Sequence, residues 1–436
     1  MIEIFYIIAQ ILFILAIAYF PIILFENNVY FNSLKFNLLD KLSINLIFFM
    51  NLLFLTSILN INTYNILYIY FFIIILFFIL NFKNFNFNKF KINYFLITLL
   101  IFIFLISIDI ADQIFFSWDT KTNWFFKTLN FFQNQDIKNL KEFNNFDYPH
   151  LGSFIWSFFW QFPFESYEYL GRIFYVFLYV LSIFSISNCL KLEIYEKIIF
   201  SILLIFITYN YKLFSGLQDV VIFSVILLFS RFSFIIFQKS YKINNTLIIL
   251  IMLGVFNVLC WIKNEGIFYG LFLLISLAIT YSFSKRDKIL ILFGSITILS
   301  LRLFLFNYYN TELNPGYFEM EKTLEFDLIL IFYKLKTITF YSFIYLTQNP
   351  IYFLTIPLLI FIVFKYPIKN ITKFVLYFLF LNIVFIYFTY ALKMTEVELL
   401  IKASMSRVIF QTSGIYFLAI VIYINNYAKF FNFVKK

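Results

Sequence analysis

The 436-residue chain is laid out as long apolar runs separated by short polar breaks. A run of about 18 or more apolar residues is long enough to cross a bilayer as a helix. Runs of or near that length lie at 4–24, 44–60, 63–82, 94–110, 168–190, 197–210, 217–237, 246–262, 266–283, 289–306, 351–365, 374–392 and 407–425. The pattern predicts an all-α fold, a polytopic transmembrane helical bundle of about 13 spans. A β-barrel would show short alternating segments instead. Two long polar breaks interrupt the pattern, at 111–167 and 307–350. The expected organisation is a set of N-terminal transmembrane helices over 1–93 and a transmembrane module over 94–436 that carries both breaks.

Composition sharpens this reading. The chain is 63% hydrophobic and only 13% charged, against about a quarter charged in soluble domains. Its 69 Phe and 32 Tyr fit an AT-rich coding sequence as well as a lipid environment. The first apolar run, Ile4 to Leu24, lacks the basic flank and small-residue site of a cleavable signal peptide. Cys189 and Cys260 are too few and too scattered for a disulfide framework or a zinc site. The net charge of +10 points to orientation in a membrane rather than to a nucleic-acid partner.

Orientation follows from the basic loops. With the N-terminus outside the cytoplasm, Lys35/Lys41, Lys83/Lys89/Lys91, Lys191/Lys197, Lys239/Lys242, Lys285/Arg286/Lys288, Lys365/Lys369/Lys373 and the Lys435/Lys436 tail all fall inside, as the positive-inside rule favours. Residues 327–347 are apolar enough to be read as a span. However, Lys334 and Lys336 sit near the middle of the stretch, where the bilayer core is costly. It reads as an interfacial helix on the outer face, the alternative being a tilted span with snorkelling lysines.

The polar residues that then need explaining gather on the outer face. Trp118 to Phe132 reads as an amphipathic helix, with Trp124, Phe125, Leu129 and Phe132 on one side and Lys121 and Lys127 snorkelling. Pro149 makes Asp147–His150 a non-helical corner. Residues 151–162 read as a second interfacial segment, so that two aromatic helices form a platform at headgroup depth. Asp219 stands at the outer start of a span, where a helix dipole favours an acid. Lys263 and Glu265 share a tight outer turn, and Arg407 stands at the outer start of the last span. Each residue has a plain structural reading; together they are ionisable groups at one level of one face, and such groups mark sites. A lipid-phosphate donor needs a cation at its phosphate, for which Arg407 and Lys263 are candidates. An acceptor hydroxyl needs a base, for which Asp119 is the candidate. Tyr148, Trp118 and Trp124 are placed to stack on a sugar or to anchor the loop.

"WDTKTNWFFKTL" (Trp118–Leu129) followed by "FDYPHL" (Phe146–Leu151) resembles the first outer loop of GT-C-type membrane glycosyltransferases, polytopic enzymes that use polyprenyl-phosphate-linked sugars. "GLQDVV", "KNEG" and "SMSRVIFQ" stand in the order of that group's later outer-face motifs, so the resemblance covers about Asp109 to Gln411. It implies that a carboxylate of the first loop is the base, Asp119 here with Asp112 as rival, that Asp147 lies in the site, and that Lys263 and Arg407 face phosphate. It also implies a bacterial inner-membrane location, a polyprenyl-phosphate sugar donor, and a cell-envelope lipid or glycan acceptor. Gln218-Asp219 departs from the more usual Ala-Asp pair, and His150 replaces an apolar residue.

His150, the only histidine, reads as a polar rim contact because a metal site would need partners. No cofactor is expected, and no acidic cluster calls for a divalent cation, although one is not ruled out. The acids at Glu312, Glu319, Glu321, Glu325 and Asp327 read as a solvated outer loop. The competing class is a transporter or lipid flippase, which calls for charges near the midplane and Gly/Pro-interrupted spans; the chain has 9 Gly and 7 Pro. A polysaccharide polymerase or ligase would use the same face and lipid donor.

Overall fold

In lipid every backbone N–H and C=O must find its partner within the protein, which leaves a long apolar segment the helix as its natural form. A computed structural model describes residues 2–25, 36–81, 93–113, 115–143, 146–163, 166–238, 246–309, 328–392 and 397–434. Lys35, Lys83, Lys89, Lys91, Lys239, Lys242, Glu312, Glu319, Glu321, Glu325, Asp327, Lys435 and Lys436 lie outside the described residues. The regular structure among the described residues is helical throughout. Among the described residues, eight helices are long and apolar enough to cross a membrane, or nine if one bent pair is a single span. Runs expected at 246–262 and 266–283 form helices of 17 and 16 residues, shorter than the roughly 20 that a full crossing takes.

The described residues form two units. The first comprises Met1–Ser185, Leu192–Ile205 and Tyr209–Val221. It opens with α1 (Ile2–Phe25), α2 (Leu38–Ile58), α3 (Thr63–Asn81) and α4 (Tyr94–Asp112). The break that follows folds into α5 (Phe125–Phe132) and α6 (Leu151–Trp160), and α7 (Tyr169–Ser187) resumes the long helices. Helix α1 packs on α2 and α4, while α6 packs on α2, α3 and α5. Rings hold these helices together. Phe13 stacks on Phe71 and Phe158, and Phe49 meets Phe158 and Tyr70 edge-on; such pairs add about 0.5–1.5 kcal/mol beyond area burial. Two amides clip neighbouring helices, Gln10 Nε2 to the Phe159 carbonyl at 2.8 Å and Asn45 Nδ2 to the Ala18 carbonyl at 2.7 Å.

Residues 151–162 do not form an interfacial segment. Every residue of α6 is buried, because α2, α3 and α5 cover the helix and leave no side for headgroups. Helix α6 is therefore an interior helix.

The second unit comprises Ile186–Lys191, Phe206–Thr208 and Ile222–Lys436. After α8 (Ile194–Thr208) and α9 (Asp219–Gln238), its helices are α10 (Thr246–Ile262), α11 (Glu265–Thr280), α12 (Lys285–Tyr308), α13 (Leu328–Gln348), α14 (Pro350–Lys365), α15 (Asn370–Ala391), α16 (Val397–Ser413) and α17 (Phe417–Val434). Helix α11 packs on α10 and α15, and α13 packs on α15 and α16. A buried triad ties α14, α15 and α16: Tyr352 Oη lies 2.9 Å from Thr412 Oγ1, and Asn382 Nδ2 donates to both, at 3.1 and 3.0 Å. Outward faces are apolar, with Phe293, Leu303, Phe332, Phe343 and Phe380 all exposed, as a lipid-facing surface requires. The stretch delimited from sequence as 327–347 matches α13, Leu328–Gln348, among the described residues. It meets α14 at a 96° bend, where Asn349 caps α14 through bonds from the Ile351 and Tyr352 amides and Pro350 begins the helix.

Candidate functional site

The predicted residues fall into two groups, one in each unit. In the first unit, Asp112 is exposed at the last turn of α4, and Asp109, one turn earlier, accepts a hydrogen bond from Tyr209. Trp118 is 75% exposed, and Asp119 beside it is partly exposed. The chain then winds a π-type turn over Thr120–Trp124, in which the Phe125 amide reaches back to the Thr120 carbonyl. Turns of this kind are frequent at functional sites. Ser117 secures the entrance, its Oγ 2.7 Å from Thr120 Oγ1 and accepting from the Thr120 amide at 3.3 Å.

Gly216 of the "GLQDVV" stretch holds this turn from the other side. Its φ is +88°, and a Cβ there would meet the Thr120 methyl and lie 2.6 Å from Trp156 Cη2. Left-handed backbone costs a non-glycine residue roughly 1–2 kcal/mol, and overpacking a tight core roughly 1–3 more. Gly216→Ala is expected to destabilise the protein by about 2 kcal/mol or more and to disturb the turn behind Asp119. A melting curve of the purified variant that matches wild type would contradict this account.

The remaining first-unit residues are interior. Trp124 is buried and meets Tyr148 edge-on with 5.7 Å between centroids. It is a packing residue, not a sugar platform. Lys127 does not snorkel: it is fully buried, and its Nζ donates to the Tyr148 carbonyl at 2.8 Å, about 6 Å from the Trp124 and Tyr148 ring centroids. The helical spacing correctly puts Lys127 beside Trp124, but the 146–150 corner closes over both. Burial lowers the lysine's pKa from 10.5 to about 7, and the nearby charge of buried Asp147 opposes that drop. The unfolded chain therefore binds more protons between about pH 7 and 10.5, and stability rises with pH across that window. Below pH 7 the ammonium is charged in both states and the burial penalty is complete. The melting temperature of wild type is expected to gain more between pH 7 and 9 than that of Lys127→Met; identical pH profiles would refute the assignment.

His150 is not a rim contact. It is buried, its Nε2 and Ser57 Oγ share a hydrogen bond of 2.8 Å, and its ring lies against Phe54 and Phe131. Asp219 is buried in the first turn of α9, where the helix dipole favours it. Its neighbour Gln218 has a structural part. The Gln218 amide donates to Tyr175 Oη at 3.1 Å, Tyr175 donates to the Gly152 carbonyl at 2.8 Å, and Gly152 leaves no room for a Cβ beside Gln218.

In the second unit the "KNEG" turn joins α10 to α11, with buried Lys263 3.9 Å from Glu265. Asn264 of the same turn accepts from Arg302, whose buried guanidinium lies over Trp261 and Phe306 at 5.4 and 5.1 Å. Arg407, expected at the outer start of the last apolar run, is not at the start of its helix. It lies well inside α16, which begins ten residues earlier at Val397, because the Glu398–Lys402 pair, one helical turn apart at 2.7 Å, lets a polar helix start upstream of the apolar run.

Sequence reasoning missed a buried ion pair of the first unit. Arg172 Nε lies 2.8 Å from Glu168, its Nη2 donates to the same carboxylate at 3.0 Å, and its Nη1 donates to the Phe214 carbonyl at 2.8 Å. Burial pushes the Glu168 carboxyl up from its ordinary pKa, and Arg172 pulls it back. The four-residue spacing in "EYLGR" was the available signal. Among the described residues, no three His, Cys, Asp or Glu side chains come together as a metal site.

These observations define an all-α, multi-pass membrane protein with a structured polar break after α4. No protein-family model, curated protein or solved structure matches the chain.

Proposed function

We propose that the protein is an integral membrane glycosyltransferase that moves a sugar from a polyprenyl-phosphate donor to an acceptor hydroxyl on the outer face of the bacterial inner membrane. One observation carries this reading: Asp119 stays partly exposed at the head of a π-type turn while Lys127, Asp147 and His150 of the same break are buried. A base must be able to reach its substrate, and the partial exposure of Asp119 supports that role. In the step, Asp119 takes the proton of the acceptor hydroxyl as its oxygen bonds to the anomeric carbon. The bond from that carbon to the phosphate oxygen breaks, and the lipid phosphate leaves with the electron pair, inverting the sugar. Phosphate is a good leaving group, so no strong second acid is required. The acceptor is a cell-envelope lipid or glycan. Asp112, exposed at the end of α4, is the rival base.

Cells lacking the gene are expected to accumulate a polyprenyl-phosphate sugar in their lipid extract, and an unchanged profile would overturn the proposal. A transporter or flippase is the second reading, favoured by the 96° break between α13 and α14 and by the buried Arg302. It expects a finished glycolipid, not a sugar donor, to build up in the same extracts.

A further inference from the structure

Helices α13 and α16 of the second unit border a cavity of about 440 Å³, a size within the roughly 300–1,000 Å³ of small-molecule sites. Its polar wall holds Lys334, Lys402 and Glu398, and its apolar wall holds Leu330, Val397 and Leu399. Lys334 is only 6% exposed and donates to the Ala391 carbonyl at 3.2 Å. An ammonium carries three donors, and burying one without an anion is costly. Lys402 is half exposed and paired with Glu398 at 2.7 Å. Among the described residues the wall therefore carries two ammonium groups against one carboxylate, a net positive charge beside apolar surface. Helix α13 continues from the cavity with Phe332, Phe340 and Phe343 exposed at 72, 61 and 71%, a surface that belongs in acyl chains.

We propose that this cavity binds the phosphate headgroup of an anionic lipid, with Lys334 at its buried end, Lys402 at its rim and the acyl chains along the exposed side of α13. Charge complementarity selects a phosphate, and the apolar wall together with the exposed phenylalanines selects one carried on a lipid. The site lies within the second unit and does not depend on sugar transfer.

Native mass spectrometry of the full chain in detergent tests this with dioleoyl phosphatidic acid, dioleoyl phosphatidylcholine and inorganic phosphate as probes. Phosphatidic acid is expected to bind wild type at least tenfold more tightly than phosphatidylcholine. Lys334→Gln, which keeps a donor for the Ala391 carbonyl, should lose that preference. Lys402→Gln, at the exposed rim, should weaken it several-fold, and Lys336→Gln, on the exposed side of the same helix, should leave it intact. Equal binding of the two lipids, or a preference unchanged in both Lys334→Gln and Lys402→Gln, overturns the site. Competition by inorganic phosphate as strong as by phosphatidic acid overturns the lipid assignment.

Discussion

Alanine at Asp119 is expected to reduce sugar transfer by about 100-fold or more, the low end of what a positioned general base contributes, while the protein still accumulates in the membrane. The two halves of this expectation rest on different observations. The loss follows from removing the group that accepts the acceptor's proton. The intact fold follows from exposure, since a partly exposed side chain outside the packed interior can usually be truncated within about 0.5 kcal/mol. The π-type turn behind it is held by Ser117, Thr120 and Gly216, none of which changes. Transfer is read in membrane fractions against the amount of protein present, with Asp112→Ala in parallel. Activity retained at 119 but lost at 112 moves the base to the rival carboxylate. Activity retained in both variants removes the mechanism.

Arg172→Leu is expected to cost about 3 kcal/mol or more, the usual result of stranding one member of a buried ion pair. Arg172 is fully buried and serves three partners at once: the Glu168 carboxylate, the Phe214 carbonyl and the face of Phe116, 5.1 Å from the guanidinium carbon. Its loss leaves the Glu168 carboxyl in an environment that already disfavours its charge, and it releases the short helical turn over Tyr211–Phe214 that leads into Gly216. The double variant Arg172→Leu/Glu168→Gln should recover part of the loss, because neither side then buries an unpaired charge. A melting temperature in detergent for Arg172→Leu equal to wild type, or a double variant worse than the single, would show that the pair is not stabilised in this way.

Asp119 and Arg172 differ in how legible they are from sequence. Asp119 is visible as an acid between two tryptophans after a long apolar run. Arg172 carries no comparable mark, since a helical Glu–Arg spacing at the start of a span looks the same whether lipid, water or protein covers it. Lys127 and His150 show the same ambiguity from the other direction. Both read as surface residues in the sequence, and both are interior because the Asp147–His150 corner and α6 fold over α5.

By itself the sequence determined the helical class, most of the helix positions and the place of the polar break after α4, since run length and backbone hydrogen bonding in lipid leave few alternatives. Only the tertiary structure decided which polar residues of that break are reachable. An aromatic helix such as Leu151–Trp160 has the same composition at a membrane surface as in a core, and its neighbours α2, α3 and α5 put it in the core. Burial is set by what packs against a residue, often from far along the chain, and the local pattern around Trp118–Phe132 holds no record of those partners.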